Sequence, residues 1–156
     1  MNKEELQIED YKEQYSPDFA SLNKAWLEEY FVVEPIDEAI FADPKGYIID
    51  RGGYIFFAKL GDRVVGTFAL MKMEEGIFEL SKMAVAKDFQ GKGAGSHLLR
   101  FCLQKGRELD AHKIVLYSNT SLEPAIHLYR KFGFLAVPLG SVEYKRANIK
   151  MELDLI

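Results

Sequence analysis

Apolar and polar positions change their period several times along the chain, and each change predicts an element. Leu6 to Lys12 alternates weakly, as a short strand would. Ser16-Pro17 then opens a helix, with Ser16 as N-cap and Pro17 at the first helical position. Phe19, Leu22, Trp26, Leu27, Tyr30 and Phe31 recur at three- and four-residue steps and give that helix one apolar face, with Glu28 and Glu29 opposite. A second, short helix is expected from Pro35 through Ile40, in a stretch made acidic by Glu34, Asp37 and Glu38. After the break at Asp50-Arg51-Gly52-Gly53, three apolar runs follow: Tyr54 to Leu60, Val64 to Met73 and Ile77 to Val85. Gly61-Asp62 joins the first pair and Glu74-Glu75-Gly76 the second, so the three strands form an antiparallel meander.

Helical spacing returns next, with Ala94, Leu98, Leu99, Cys102, Leu103 and Leu109 on one face. Lys113 to Tyr117 is a continuous apolar run, the pattern of a strand covered on both faces. A strand, helix and strand in succession make a right-handed crossover, which places this strand parallel to 77–85 and leaves a cleft at their carboxyl ends. Thr120 and Glu123 read as a capping box, Pro124 fits a first turn, and Gly133 closes the helix between them as a left-handed cap. A strand at Phe134 to Val137, a turn at Pro138-Leu139-Gly140-Ser141 and a last strand within Tyr144 to Leu155 complete the order. The expected class is α/β, a mixed and mostly antiparallel sheet with one parallel pair and helices on both faces.

Composition narrows the classes. With 156 residues, 48% hydrophobic and 28% charged, the chain suits one folded domain, 1–156, and not a disordered segment. Its net charge of -4 and lack of a basic tract argue against nucleic-acid and membrane surfaces. Cys102 is the one cysteine, and the polar opening Met1-Asn2-Lys3-Glu4-Glu5 offers no leader, so a reducing cytoplasm is expected and the sequon at Asn119-Thr120-Ser121 is a chance match. His97, His112 and His127 are too far apart for a helical metal pair, and no metal is expected. Cys102 lies on an apolar face and reads as a small hydrophobe.

The chemistry concentrates in Gln90-Gly91-Lys92-Gly93-Ala94-Gly95-Ser96, between a strand and a helix. Glycines at alternate positions leave backbone N–H groups open to a ligand, and the helix start adds unpaired donors and the positive end of its dipole. That is a phosphate seat. A Walker loop is excluded because Lys92 is followed by Gly93 instead of Ser or Thr, and the dinucleotide fingerprint fails at Ser96, where its third glycine should stand. Q-x-x-G-x-G does fit, at Gln90, Gly93 and Gly95, and after Lys82-Met83-Ala84-Val85 it resembles the acetyl-CoA pyrophosphate loop of the GNAT superfamily of acyl-CoA-dependent N-acyltransferases. Asn119, then Ala125-Ile126 through Leu128-Tyr129, Lys131 and Gly133-Phe134, resembles a second motif of the same superfamily. The likeness covers most of the chain and is strongest from Glu79 to Phe134.

That resemblance implies a three-layer GNAT-like fold with acetyl-CoA as cofactor and CoA as product. It implies cofactor contacts at Met83, Ala84, Val85, Gln90, Gly91, Lys92, Gly93, Ala94, Gly95, Ser96, Asn119 and Tyr129, with Lys87, Lys92 and Lys131 as further candidates for its phosphates. Backbone N–H groups near Met83 to Val85 would face the developing oxyanion. An alkylammonium with a pKa of about 10.4 must lose a proton before it attacks, so a base is wanted. Glu79 sits where some members carry that base, and it reads equally as an exposed strand glutamate. Tyr129 matches the tyrosine that acts as general acid in many relatives, against a core reading with a satisfied hydroxyl. By the same likeness the first two helices wall the acceptor pocket, which makes Trp26, Tyr30, Phe31 and Glu34 candidate substrate contacts. Arg146 or Arg51 could hold a substrate carboxylate. The implied activity is acetyl transfer to a primary amine of a small or amino-acid-like molecule in a ternary complex. A peptide acceptor and a non-catalytic acetyl-CoA-binding module are the alternatives, and a homodimer is left open.

Overall fold

A computed structural model describes residues 5–155, so the polar opening Met1-Asn2-Lys3-Glu4 lies outside the described residues. The strands are β1 Gln7–Asp10, β2 Tyr54–Leu60, β3 Arg63–Glu74, β4 Ile77–Val85, β5 Lys113–Ser118, β6 Leu135–Val137 and β7 Ile149–Asp154. The helices are α1 Ser16–Tyr30, α2 Pro35–Ala42, α3 Pro44–Tyr47, α4 Ala94–Glu108 and α5 Glu123–Lys131. The sheet runs β1-β2-β3-β4-β5-β7-β6, antiparallel throughout except for the parallel pair β4–β5.

Strand alternation explains the layers. On β2, Phe56 and Ala58 turn toward a core built with Leu98, Leu99 and Cys102 of α4 and Ile126 of α5. Ile55 and Phe57 turn the other way, toward Phe19 and Leu27 of α1 and Ile40 and Phe41 of α2. The sheet is thus buried on both faces, as the expected class requires.

Two features of β4 open the site. Its pairing with β5 holds for only three steps, ending at Glu79 opposite Val115, after which the strands part. Against β3 the register skips: Thr67 faces Ala84 but Ala69 faces Ser81, so Lys82 and Met83 together oppose Phe68. Lys82 takes a left-handed φ of 55°, the mark of a bulge that bends the strand.

Local signals matched the structure where the backbone alone decides. Gly61 (φ 62°) begins a two-residue hairpin turn with Leu60 opposite Arg63. Gly133 (φ 104°) ends α5, with the Phe134 N–H donating to the Tyr129 carbonyl and the Gly133 N–H to the Arg130 carbonyl, both at 3.0 Å. Where side chains had a tertiary alternative, the expectation failed. Ser16 is the first helical residue and Tyr15 the N-cap, because Tyr15 is pinned against Phe57 at 5.2 Å between centroids and donates from its hydroxyl to Glu9. Thr120 and Glu123 form no capping box: α5 starts at Glu123 after Leu122, and the Thr120 hydroxyl accepts from Asn148 Nδ2. Leu109 is the C-cap of α4, and α3 is an unforeseen turn of helix whose cap is Asp43. The last strand shortens to 149–154, since Tyr144 and Arg146 leave the sheet for contacts with Lys82, Asp37 and Glu34.

Candidate active site

Two adjoining cavities open where β4 parts from β5. The outer one, of about 440 Å³, lies at the start of α4 and is lined by Met83, Ala84, Val85, Gln90, Gly91, Gly93, Ala94, Gly95 and Ser96 from one side. Pro124, His127, Leu128, Tyr129 and Lys131 of α5 close the other side. Gly91 and Gly93 have φ of 78° and 83°, and a Cβ at either would enter space with no atom within 4 Å. Gln90 Nε2 donates to the Val85 carbonyl at 3.0 Å and so ties the loop to the strand end. Gly93 caps α4 without any side-chain acceptor, which leaves the first-turn N–H groups available. A bare glycine cradle at a helix start suits a pyrophosphate, the group a CoA thioester would present there. Of Lys87, Lys92 and Lys131, the last lines this cavity. Lys87 pairs instead with Glu29 at 3.1 Å, and Lys92 Nζ rests 5.8 Å from the Phe89 ring centroid, off the cavity wall.

The inner cavity, of about 120 Å³, lies between β4 and β5 and is walled by Leu116, Tyr117 and Ser118 of β5. Trp26, Met83, Ala125 and Tyr129 border both cavities and mark where they meet. Glu79, at the last β4–β5 pair, is on the inner wall, and burial pushes its carboxyl up to about 7. Burial also raises the Tyr129 hydroxyl to about 12, which keeps it protonated. Phe31 and Asn119 line the inner cavity too, but Asn119 is away from the glycine cradle. Its Nδ2 donates to the Arg146 carbonyl at 2.7 Å and its Oδ1 accepts from the Ser121 N–H at 2.8 Å, so its side chain binds protein backbone.

Part of this cavity's wall is an ionic network that the sequence does not announce. Lys82 Nζ is 2.6 Å from Asp37 Oδ1 and 3.2 Å from the Tyr144 hydroxyl. Arg146 Nη1 and Nη2 donate to Asp37 Oδ2 and Oδ1 at 2.8 and 2.9 Å, and Nη1 reaches Glu34 Oε2 at 3.2 Å. Burial alone would raise Asp37, but the bonds from Arg146 and Lys82 outweigh it and hold the carboxyl at about 2. Burial pulls the Lys82 ammonium below its ordinary range against the opposing pull of Asp37. It also pushes the Tyr144 hydroxyl up. The left-handed turn at Lys82 swings this side chain toward Phe41 on the α2 side of the sheet, a detour that strand alternation does not announce.

The expected acceptor wall is therefore partly redrawn. Trp26 and Phe31 are on it, and Arg146 is on it with its guanidinium taken by Asp37 and Glu34. Glu34 lies outside both linings, because its side chain caps α2 and accepts from Arg146 and from the Lys145 N–H. Tyr30 is also outside them and 46% exposed. Arg51 stacks on Tyr47, away from either cavity. Lys82, Tyr144 and Tyr117 were missed. The one available signal was a second charge, Lys82, three residues after Glu79 in a strand whose other residues except Ser81 are apolar. Cys102 is buried in the core and its thiol is pushed up by burial, as a hydrophobe's would be. Among the described residues no group of three or more His, Cys, Asp or Glu could hold a metal ion, and no helix is long and apolar enough to cross a membrane.

Comparison with known proteins agrees with this geometry. An uncharacterised N-acetyltransferase, YvbK of Bacillus subtilis, is 31% identical over 104 residues, 65% of this chain and 67% of that protein. Two rat N-acetyltransferases are matched over 43% of their own length. A GNAT-family acetyltransferase from Staphylococcus aureus superposes with a TM-score of 0.86 at 18% identity, covering 97% of this chain and all of that one. YncA from Salmonella typhimurium, solved with its cofactor acetyl-CoA, gives 0.77 at 18% identity over 97% and 95% of the two chains. The model of the acetyltransferase (GNAT) family matches residues 5–134, and with the parted β4–β5 pair and the glycine cradle already described, the chain belongs to this family of acyltransferase enzymes.

Proposed function

We propose that this chain moves the acetyl group of acetyl-CoA directly to the primary amine of a small molecule, both held at once. The observation that carries this reading is the meeting of the two cavities at Met83, Ala125 and Tyr129, with Glu79 on the inner wall. The outer cradle, Gly91 through Ser96 with Gln90 and Lys131, would hold the pyrophosphate, and bound acetyl-CoA would supply an acyl group activated as a thioester. Holding both reactants in line can supply several kcal/mol of the barrier. Glu79, poised near pH 7, takes the proton from the acceptor ammonium and leaves a neutral amine to attack. As the carbon–sulfur bond breaks, the Tyr129 hydroxyl gives its proton to the departing sulfur, which leaves as the free thiol, and the second proton that the nitrogen sheds on becoming an amide restores the tyrosine. Past Glu79 the β5 edge of β4 has no strand partner among the described residues, and its N–H groups are the donors for the oxyanion. An inner cavity of about 120 Å³ suits a small acceptor better than a peptide.

The test is release of free thiol from acetyl-CoA in the presence of an amine. Tyr129→Phe should lower kcat about 100-fold with the Kd for acetyl-CoA unchanged. Equal turnover in the variant would remove Tyr129 from the proton transfer.

A further inference from the structure

The charges around the inner cavity narrow the acceptor further, given the small-amine reading above. Two cations reach its wall, Lys82 and Arg146. Both are committed: Lys82 lies 2.6 Å from Asp37, and Arg146 lies 2.8 Å from Asp37 and 3.2 Å from Glu34. All four side chains are at most 16% exposed, so breaking one of these pairs would strand a desolvated charge. Glu79 is the one further charged group on the wall; Lys82 acts on it through space, but the Lys82 ion pair is with Asp37, and among the described residues no cation lies within 4.0 Å of Glu79. Exposed Glu143 is not on the wall. The cavity therefore offers one carboxylate to an ammonium and no spare cation to a substrate carboxylate.

Its shape and lining point the same way. Trp26, Phe31, Tyr117 and Tyr144 are on the wall, but the Tyr144 ring already carries the Lys82 ammonium 4.3 Å and the Arg146 guanidinium 4.6 Å from its centroid, which leaves the rings of Trp26, Phe31 and Tyr117 to an incoming body. Aromatic faces favour an apolar body and an adjacent cation. A volume of about 120 Å³ is close to the roughly 150 Å³ that holds benzene in a dry cavity. We propose that the acceptor is a compact primary monoamine with a ring-sized apolar body and no carboxylate, its ammonium on Glu79 and its body against Trp26, Phe31 and Tyr117.

Matched pairs of acceptors test this on the unaltered protein. Benzylamine and 2-phenylglycine share a body and differ by a carboxylate; n-butylamine and putrescine differ by a second ammonium. With acetyl-CoA saturating, kcat/KM should favour benzylamine over 2-phenylglycine by about 30-fold or more, and butylamine over putrescine by about tenfold. Trp26 is the sole tryptophan and lines the cavity, so its fluorescence should report benzylamine binding to the CoA complex without turnover, and 2-phenylglycine should fail to reproduce the change. Equal or reversed preference in either pair overturns the monoamine inference while leaving acetyl transfer standing. Thiol release no faster with any of the four amines than with water overturns the small-amine reading itself, and this inference with it.

Discussion

Replacing Glu79 with glutamine separates the cost of holding a buried carboxylate from the benefit of having one. Burial moves the Glu79 carboxyl from 4.5 to about 7. The folded protein therefore keeps a proton that the unfolded chain gives up, and stability falls as pH rises from 4.5 to about 7, then stays level. At 1.36 kcal/mol per pKa unit the full loss is about 3 kcal/mol. Glu79→Gln cannot ionise. It should match the parent at pH 4.5 and exceed it above pH 8, by roughly 6–12 °C in Tm for a chain of this size. The same change should remove the ascending limb of kcat/KM centred near pH 7 and lower the rate about 100-fold or more. Thermal unfolding at pH 4.5, 6 and 8.5 reads the first effect, and thiol release across the same range reads the second. A Tm difference that does not vary with pH would refute the buried-carboxylate argument. A limb surviving at the same pH would assign the base to another group.

Three further outcomes follow from the geometry. Asp37→Asn leaves Lys82 and Arg146 buried without their shared carboxylate and should cost about 3–5 kcal/mol in urea unfolding, a loss below about 1 kcal/mol counting against the network. Because Asp37 is held at about 2, the stability it contributes is complete above the ordinary carboxylate range and is lost as pH falls toward 2, so the difference between parent and variant should shrink there. Gly93→Val forces a β-branched residue to φ 83° and fills the cradle, so acetyl-CoA affinity by calorimetry should fall at least tenfold, and unchanged affinity would refute the phosphate seat. Cys102, whose thiol burial pushes up, should react with a thiol reagent only after denaturation; rapid labelling of the folded protein would place it outside the core.

Much of the site was legible because its signals are local. Glycines at 91 and 93 stand where the backbone takes a positive φ, and such positions announce themselves in any fold. The strand, turn and helix around them predicted a ligand cleft at the ends of β4 and β5, and Glu79 and Tyr129 both border it. Glu34 and Tyr30 misled for the opposite reason. Both lie in or just after α1 beside Trp26 and Phe31, but a helical face does not say which of its residues meets a cavity and which meets a capping turn or solvent. Asn119 likewise occupies its motif position while its amide bonds to Arg146 and Ser121.

By itself, then, the order of residues determined the main strands and helices, though not α3 or the start of the last strand, together with the two-sided burial of the sheet, the hairpin at Gly61, the cap at Gly133 and the glycine cradle. Each of these depends on backbone freedom or on hydrophobic period, which are properties of neighbours in the chain. Tertiary structure alone decided how far β4 and β5 stay paired, that Lys82 adopts a left-handed bulge, and that Asp37 and Glu34 join Arg146 more than a hundred residues away. Charges so far apart carry no mark of their partner until the fold removes water from between them, and that same removal raises toward neutrality Glu79, the one charged group on the inner wall that stands outside an ion pair among the described residues.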